Sequence, residues 1–330
     1  MTHSYLVTGG AGFIGTHIVR RLRDQHPEAR IVVIDNYLSG QTRFSPAENI
    51  EVIVGDVIDP PVLDALPADI GAIYHLACPA SPPTYQRNPL HTFQTAVLGT
   101  FNVLSWATQH QARVLVASTS EIYGDPLVHP QDESYWGNVN SVGVRSCYDE
   151  GKRGGETLAT DFRRQYGTDV RVARIFNTYG PGMRFDDGRV VSNFAASALR
   201  GQPLTVYGDG QQTRSFCFID DLIDGLMLLM NAENTPAIQP AVNLGNPREM
   251  TVAELVTLVV KTTGFSKICY QPLPFDDPTR RQPDITVARR ALGWAPQVSI
   301  ESGFVATLND FAQRMGQPAR FGVPGTAEAA

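Results

Sequence analysis

Gly9-Gly10-Ala11-Gly12-Phe13-Ile14-Gly15 follows the apolar run Tyr5–Thr8 and opens a stretch of helical periodicity, Ile14–Arg23. Glycines at this spacing answer three demands: a sharp strand-to-helix turn, close approach of backbone to a ligand, and close packing of helix on sheet. The start of the helix then offers unpaired N–H groups and partial positive charge, which suit a phosphate. The next apolar run, Arg30–Ile34, ends against Asp35. A carboxylate there accepts two ribose hydroxyls and repels a 2′-phosphate, so the constellation predicts NAD rather than NADP. Asp56-Val57, after the third apolar run, is placed for the adenine edge or is an ordinary strand end.

Outward from this turn, short β-branched runs (Val52–Val54, Ala72–Leu76, Val114–Ala117, Val170–Ile175) alternate with helical patterns such as Pro89–Gln109 and Tyr148–Tyr166. Apolar strands separated by helices imply a parallel sheet covered on both faces. The fold class is therefore α/β, a Rossmann-type doubly wound parallel sheet with a smaller C-terminal α/β substrate lobe. A chain of 330 residues exceeds what one core usually serves. After about Gly180 the pattern loosens, and Pro181-Gly182, Asp187-Gly188 and Gly208-Asp209-Gly210 punctuate shorter elements. The expected organisation is residues 1–180 as the NAD-binding domain, 181–315 mainly as the substrate lobe, and 316–330 as a flexible tail.

Composition narrows the partners. Hydrophobic residues make up 42% and charged residues 18%, a globular balance. A net charge of −6 argues against a nucleic-acid binder, which needs a basic stripe. No apolar run approaches the ~18 residues of a membrane span. Cys78, Cys147, Cys217 and Cys269 form no CxxC pair and the histidines no ligand spacing, so no metal and no disulfide framework is expected. A cytoplasmic protein with free thiols follows. Of the 27 cations only Lys152, Lys261 and Lys267 are lysines. A lysine in a suggestive place therefore carries more information than an arginine.

Lys152 is in such a place, four residues after Tyr148 and one helical turn along the same face. A phenol with an ordinary pKa of ~10 acts as a base near neutrality only beside a cation that stabilises the phenolate. Such pairs are common by chance, but this one lies downstream of a dinucleotide fingerprint and uses a scarce lysine. Thr119, just past Val114–Ala117, puts a hydroxyl at the carboxyl end of the sheet, where such folds bind ligands.

Together with Arg174-Ile175-Phe176-Asn177-Thr178-Tyr179-Gly180-Pro181, these features resemble the extended short-chain dehydrogenase/reductase family. Narrower blocks are similar to the UDP-glucuronate decarboxylases (UDP-xylose synthases). They are His75-Leu76-Ala77 with Pro79-Ala80-Ser81-Pro82-Pro83, Ser118 through Pro126, Cys147 through Arg153, Asp187 through Phe194, and Arg281 through Ile285. The resemblance spans about residues 4–312. It implies cofactor contacts at Gly9, Gly12, Phe13, Ile14 and Gly15, at Asp35 and Asn36, at Asp56 and Val57, at Leu76 and Ala77, and at Tyr148 and Lys152. It implies catalysis by Thr119, Glu121, Tyr148 and Lys152. Pro82, Tyr85, Ser120 and Glu121 would meet the sugar, and Asn177, Val191, Tyr207, Arg214 and Arg281 would hold UDP. Two arginines facing a diphosphate make physical sense as bidentate donors. The implied reaction oxidises C4 of UDP-glucuronate, loses carbon dioxide from the resulting β-keto acid, and reduces C4 of the UDP-4-keto-pentose to give UDP-xylose. The implied assembly is a homodimer paired through Pro89–Gln109 and Tyr148–Tyr166.

Two positions bear on the reaction. Related 4,6-dehydratases carry Asp-Glu where this chain has Ser120-Glu121, and serine is no acid for expelling water. Where the resembled family has Asn, this chain has Ala96, so escape of the keto intermediate with NADH is one expectation; replacement of the amide by water is the other. The alternatives are an oxidative or leaky decarboxylase, a nucleotide-sugar 4-epimerase, and a non-catalytic NAD-binding regulator. Intact Thr119, Tyr148 and Lys152 argue against the last.

Overall fold

Seven strands pair in parallel: β1 (Ser4–Thr8), β2 (Ile31–Asp35), β3 (Ile50–Val54), β4 (Ile70–His75), β5 (Arg113–Thr119), β6 (Val170–Ile175) and β7 (Val242–Leu244). The computed structural model describes residues 4–45, 49–273 and 280–324. Within the sheet the order is β7-β6-β5-β4-β1-β2-β3. The chain lays down β1 to β3 in one direction, then crosses back and starts β4 on the other flank of β1. That reversal opens a crevice beyond the carboxyl ends of β1 and β4. Register lines the ends up: Thr8 pairs with Ile34 on one side and His75 on the other, and Thr119 pairs with Ile175. Residues from positions 9 to 177 are thereby delivered to one edge.

Both faces are covered, which is why β1 and β2 are buried along their whole length. On one face α1 (Phe13–Gln25) contributes Ile18, Val19 and Leu22 to a core that continues into the second lobe through Phe194, Leu222, Leu226, Phe304 and Leu308. On the other, Val103, Leu104 and Ala107 of α2 (Thr100–His110) and Ala159 and Phe162 of α3 (Ser146–Tyr166) pack on Leu6, Val32 and Ile34. The boundary near residue 180 does not separate the layers. The chain leaves the main sheet after β6 and returns for β7, and α4 (Ile219–Asn231) packs on that sheet and against α1. β7 is only three residues long, too short to stand out as a periodic run. Small ladders build the second lobe, Leu204–Tyr207 with Ile268–Gln271 and Thr213–Ser215 with Glu249–Thr251. Of the expected tail, residues 316–324 include Phe321, whose backbone exchanges two hydrogen bonds with the Asn309 amide, at 3.0 and 3.1 Å. Residues 325–330 lie outside the described residues.

The periodic stretch Pro89–Gln109 forms Pro89–Gln94, a π-helical turn at Thr95–Gly99, and α2. Single π turns within a helix are rare and frequent at functional sites, and this one packs against α3. That helix brings a face of glycines: a Cβ on Gly151 would lie 2.9 Å from the Ala96 methyl, and one on Gly155 3.3 Å from the Ala96 carbonyl. We expect Gly151→Val to lose about 2 kcal/mol by overpacking, read as a lower urea midpoint. NAD binding should weaken as well, because the same displacement moves Lys152.

Candidate active site

Gly9 turns the chain at φ +70°, and a Cβ there would lie 2.9 Å from Ala77 N and Cα; one on Gly15 would lie 2.3 Å from Gly9 O. A side chain at either position would collide with backbone, at Gly9 the segment after β4 and at Gly15 the glycine turn itself, so both glycines let strand, turn and helix pack closely. Asp35 anchors this cradle by accepting from Ala11 N (2.9 Å) and Tyr37 N (2.8 Å). Burial raises its pKa, while the Tyr37 and Ala11 amides and the Arg43 charge work against that. Each carboxylate oxygen retains capacity for a ribose hydroxyl. Asp56 is more committed, accepting from Ile58 N (3.1 Å) and Asn36 Nδ2 (2.7 Å) and facing His91 Nε2 at 2.8 Å. The cradle opens into a cleft of about 850 Å3 between sheet edge and second lobe. The residues present fit a dinucleotide.

At the other end of the cleft, the first turns of α3 carry Tyr148 and Lys152, both buried. The Tyr148 ring lies parallel to that of Tyr85 at 5.1 Å. Lys152 Nζ donates to Ala117 O at 2.9 Å and lies 5.9 Å from the Tyr148 ring centroid. Burial pushes the Tyr148 hydroxyl above the phenol range and Cys78 adds to this; Arg189 and the Thr119 hydroxyl favour the phenolate. The Tyr85 hydroxyl is buried with no hydrogen-bond partner, and the residue lines the same cleft. An orphaned buried hydroxyl costs about 1–3 kcal/mol, which a ligand's polar group would recover.

Glu121, in the turn after β5, is held between two arginines. Arg145 Nη2 donates to Oε2 at 2.6 Å, and Arg281 Nη1 donates to Oε1. Arg281 also donates to Gly124 O at 3.1 Å, so this carboxylate joins the second lobe to the sheet edge. Burial alone would raise the Glu121 pKa; Arg281 and Arg145 overcome it and hold it down to about 2.

Every site residue expected from the sequence lines this one cleft, including Asn177, Val191, Tyr207, Arg214 and Arg281. Arg281 reaches further in than a diphosphate contact requires, ending on Glu121. Among the lining residues to which the sequence reading assigned no role are Arg145, Arg189, His91 and Cys78. Arg145 stands three residues before Tyr148 and Arg189 inside the Asp187–Phe194 block, but a single arginine carries little signal in so arginine-rich a composition. Arg189 closes the cleft from the second lobe by donating to Ala80 O of the proline-rich loop at 3.0 Å.

A nucleotide-binding cleft with a tyrosine–lysine pair at its far end defines a class of NAD-dependent enzymes, and the chain belongs to one such group, the NAD dependent epimerase/dehydratase family, matched over residues 5–245. More particularly, it is 51% identical over 315 residues to UDP-glucuronic acid decarboxylase 4 of Arabidopsis thaliana, covering 94% of this chain and 69% of that relative. Among solved structures it resembles a UDP-glucose 4-epimerase of Thermotoga maritima bound to UDP-glucose (TM-score 0.87, 29% identity, 94% of this chain and 99% of that one). It also resembles MoeE5 in complex with UDP-glucuronic acid and NAD (TM-score 0.78, 27% identity, 94% and 99%). Among the described residues no helix is long and apolar enough to cross a membrane.

Two outcomes are expected. Asp35→Ala strands the Ala11 and Tyr37 amides and should weaken NAD binding at least tenfold by calorimetry, with less discrimination against NADP. Glu121 has a folded-state pKa below the unfolded value of ~4.3, so its stabilisation is present above that pH and lost as pH falls toward about 2. In urea titrations the wild type should exceed Glu121→Gln at pH 6, and the gap should close with acidification.

Proposed function

We propose that this chain decarboxylates UDP-glucuronate to UDP-xylose through a UDP-4-keto-pentose, with bound NAD regenerated in each cycle. The observation that carries this reading is the placement of Tyr148, Lys152 and Thr119 beside Ser120-Glu121 at the far end of a dinucleotide cleft. Reversible oxidation of C4 is the chemistry NAD supplies when bound. Tyr148 takes the proton from the C4 hydroxyl. Burial opposes the phenolate, and the Arg189 charge and the Thr119 hydroxyl favour it; the Lys152 ammonium, 5.9 Å from the ring centroid on the same face of α3, adds a nearby cation. A C4 ketone is β to the C6 carboxylate, so the C5–C6 bond breaks with its electron pair moving into an enolate. Thr119 donates to that oxygen. A proton then adds at C5, and Tyr148 returns its proton as the C4 hydroxyl reforms.

No acid is needed to expel water, which suits serine at position 120. Glu121, ionised between two arginines, orients the ring near C5 and is no proton donor at neutral pH. Asn177, Val191, Tyr207 and Arg214 hold UDP, while Arg281 works at the sugar end through Glu121. The Tyr85 hydroxyl takes a polar group of the sugar. Ala96 is 1% exposed and its methyl fills the contact with Gly151.

A homodimer is supported by the exposed Leu90, Phe93, Leu98 and Phe101 along the segment that pairs with α3. Light scattering on the purified protein tests it. The four free cysteines suit a cytoplasmic location.

Incubation of the protein with UDP-glucuronate and NAD, followed by NMR and by NADH absorbance, should give UDP-xylose with no net NADH. Accumulation of keto-pentose with NADH would instead favour the leaky enzyme and implicate Ala96. Tyr148→Phe should lose at least 10^3-fold in kcat while still binding NAD; retained turnover would remove Tyr148 as the base.

A further inference from the structure

Arg145 occupies a position where a cation is normally unfavourable. It is the N-cap of α3, and the positive end of the helix dipole disfavours an arginine there. Its carbonyl accepts from Tyr148 N at 2.9 Å and from Asp149 N at 3.1 Å, so it begins the turn that holds Tyr148. Its guanidinium meanwhile reaches Glu121, in the turn that follows Thr119. The Arg145 and Glu121 side chains are 13% and 15% exposed, enough shielding for the charges to couple strongly. One residue thus connects the backbone of the base to the carboxylate across the sugar site.

We propose that Arg145 is a positioning residue for the reaction, fixing Glu121 as a carboxylate in one orientation so that Glu121 and Tyr148 meet the sugar as a single rigid unit. The proposal rests on the decarboxylase reading. Arg281 alone does not do this work. It approaches the opposite carboxylate oxygen from a segment tied to the loop after β5, through Gly124 O and the Gln131–Gln282 backbone pair, and among the described residues it makes no hydrogen bond to the start of α3. Arg145 begins that helix. With both arginines in place the cluster carries a net single positive charge, so Glu121 can sit near a substrate carboxylate without net repulsion. The titratable and charged groups facing Glu121 are Arg145 and Tyr148 from α3, Arg281 from the second lobe, and Tyr85 from the loop after β4. Asp149 in turn faces Arg145.

Arg145→Met tests it. We expect kcat to fall at least tenfold, the NAD dissociation constant to stay within twofold, and the acid limb of the kcat profile to move up by at least one pH unit. Arg145→Lys, which restores charge without the planar fork, should return the acid limb while recovering only part of kcat. A purely structural role would lower the melting temperature and leave the acid limb in place, and that result would overturn the proposal. A second measurement needs no turnover. The Glu121 carboxyl, 13C-labelled and assigned by its loss in Glu121→Gln, should titrate at higher pH in Arg145→Met than in the wild type. An unmoved titration sinks the positioning role even if UDP-glucuronate is not the substrate. Absence of UDP-xylose from the wild type sinks the decarboxylase reading instead.

Discussion

Parallel register is the constraint on which the rest of this molecule depends. Parallel strands must all run toward the same edge, and each connection must return over a face of the sheet before the next strand begins. Carboxyl ends therefore collect on one side. Here that collects Gly9, Asp35, Leu76, Thr119 and Phe176 within one cleft, although 167 positions separate the first from the last. The reversal of strand order between β1 and β4 leaves the opening that the glycine turn faces. Apolar cores on both faces cover the sheet, so β1 and β2 are buried along their whole length.

A second constraint acts perpendicular to the sheet. Lys152 can reach Ala117 O only if α3 lies very close to its neighbours, and the glycines at 151, 154 and 155 permit that approach. A buried polar chain keeps the π turn in place. Thr100 Oγ1 donates to Ala96 O (2.7 Å), so it must accept from His75 Nε2 (3.1 Å), and His75 Nδ1 then accepts from Thr8 Oγ1 (2.8 Å). That network assigns the tautomer. Burial, with Lys152 adding to it, pushes the His75 pKa down to about 3, so the ring stays neutral. A neutral link from β1 to the turn behind Lys152 steadies the site without adding a competing charge.

Charge inside the cleft is arranged by the same economy. Glu121 would be costly alone in this degree of burial, and Arg145 and Arg281 offset that cost from two different parts of the chain. Tyr148 has no such complement of fixed charges, and burial keeps its phenolate disfavoured even with Arg189 and the Thr119 hydroxyl working the other way. The carboxylate is thus held ionised and the phenol held neutral, a difference set by environment rather than by intrinsic acidity.

The glycine turn, Asp35, the alternation of strands and helices, and the Tyr148–Lys152 spacing were legible in the sequence because each is a local pattern with a local physical cause. A tight turn needs glycine, and a helical face needs a spacing of three or four. The return of the chain for β7, the π turn at Thr95–Gly99, the orphaned Tyr85 hydroxyl and the double clamp on Glu121 were not legible. Each depends on segments 24 to 160 residues apart meeting in space, or on a distortion that hydrophobic periodicity averages away. Sequence alone determined the fold class and the chemistry available, since those follow from short-range pattern and residue type. Only the tertiary structure decided which of 24 arginines meet the carboxylate, because ion pairing in a buried cleft depends on distance and burial, and neither quantity is written in any local run of residues.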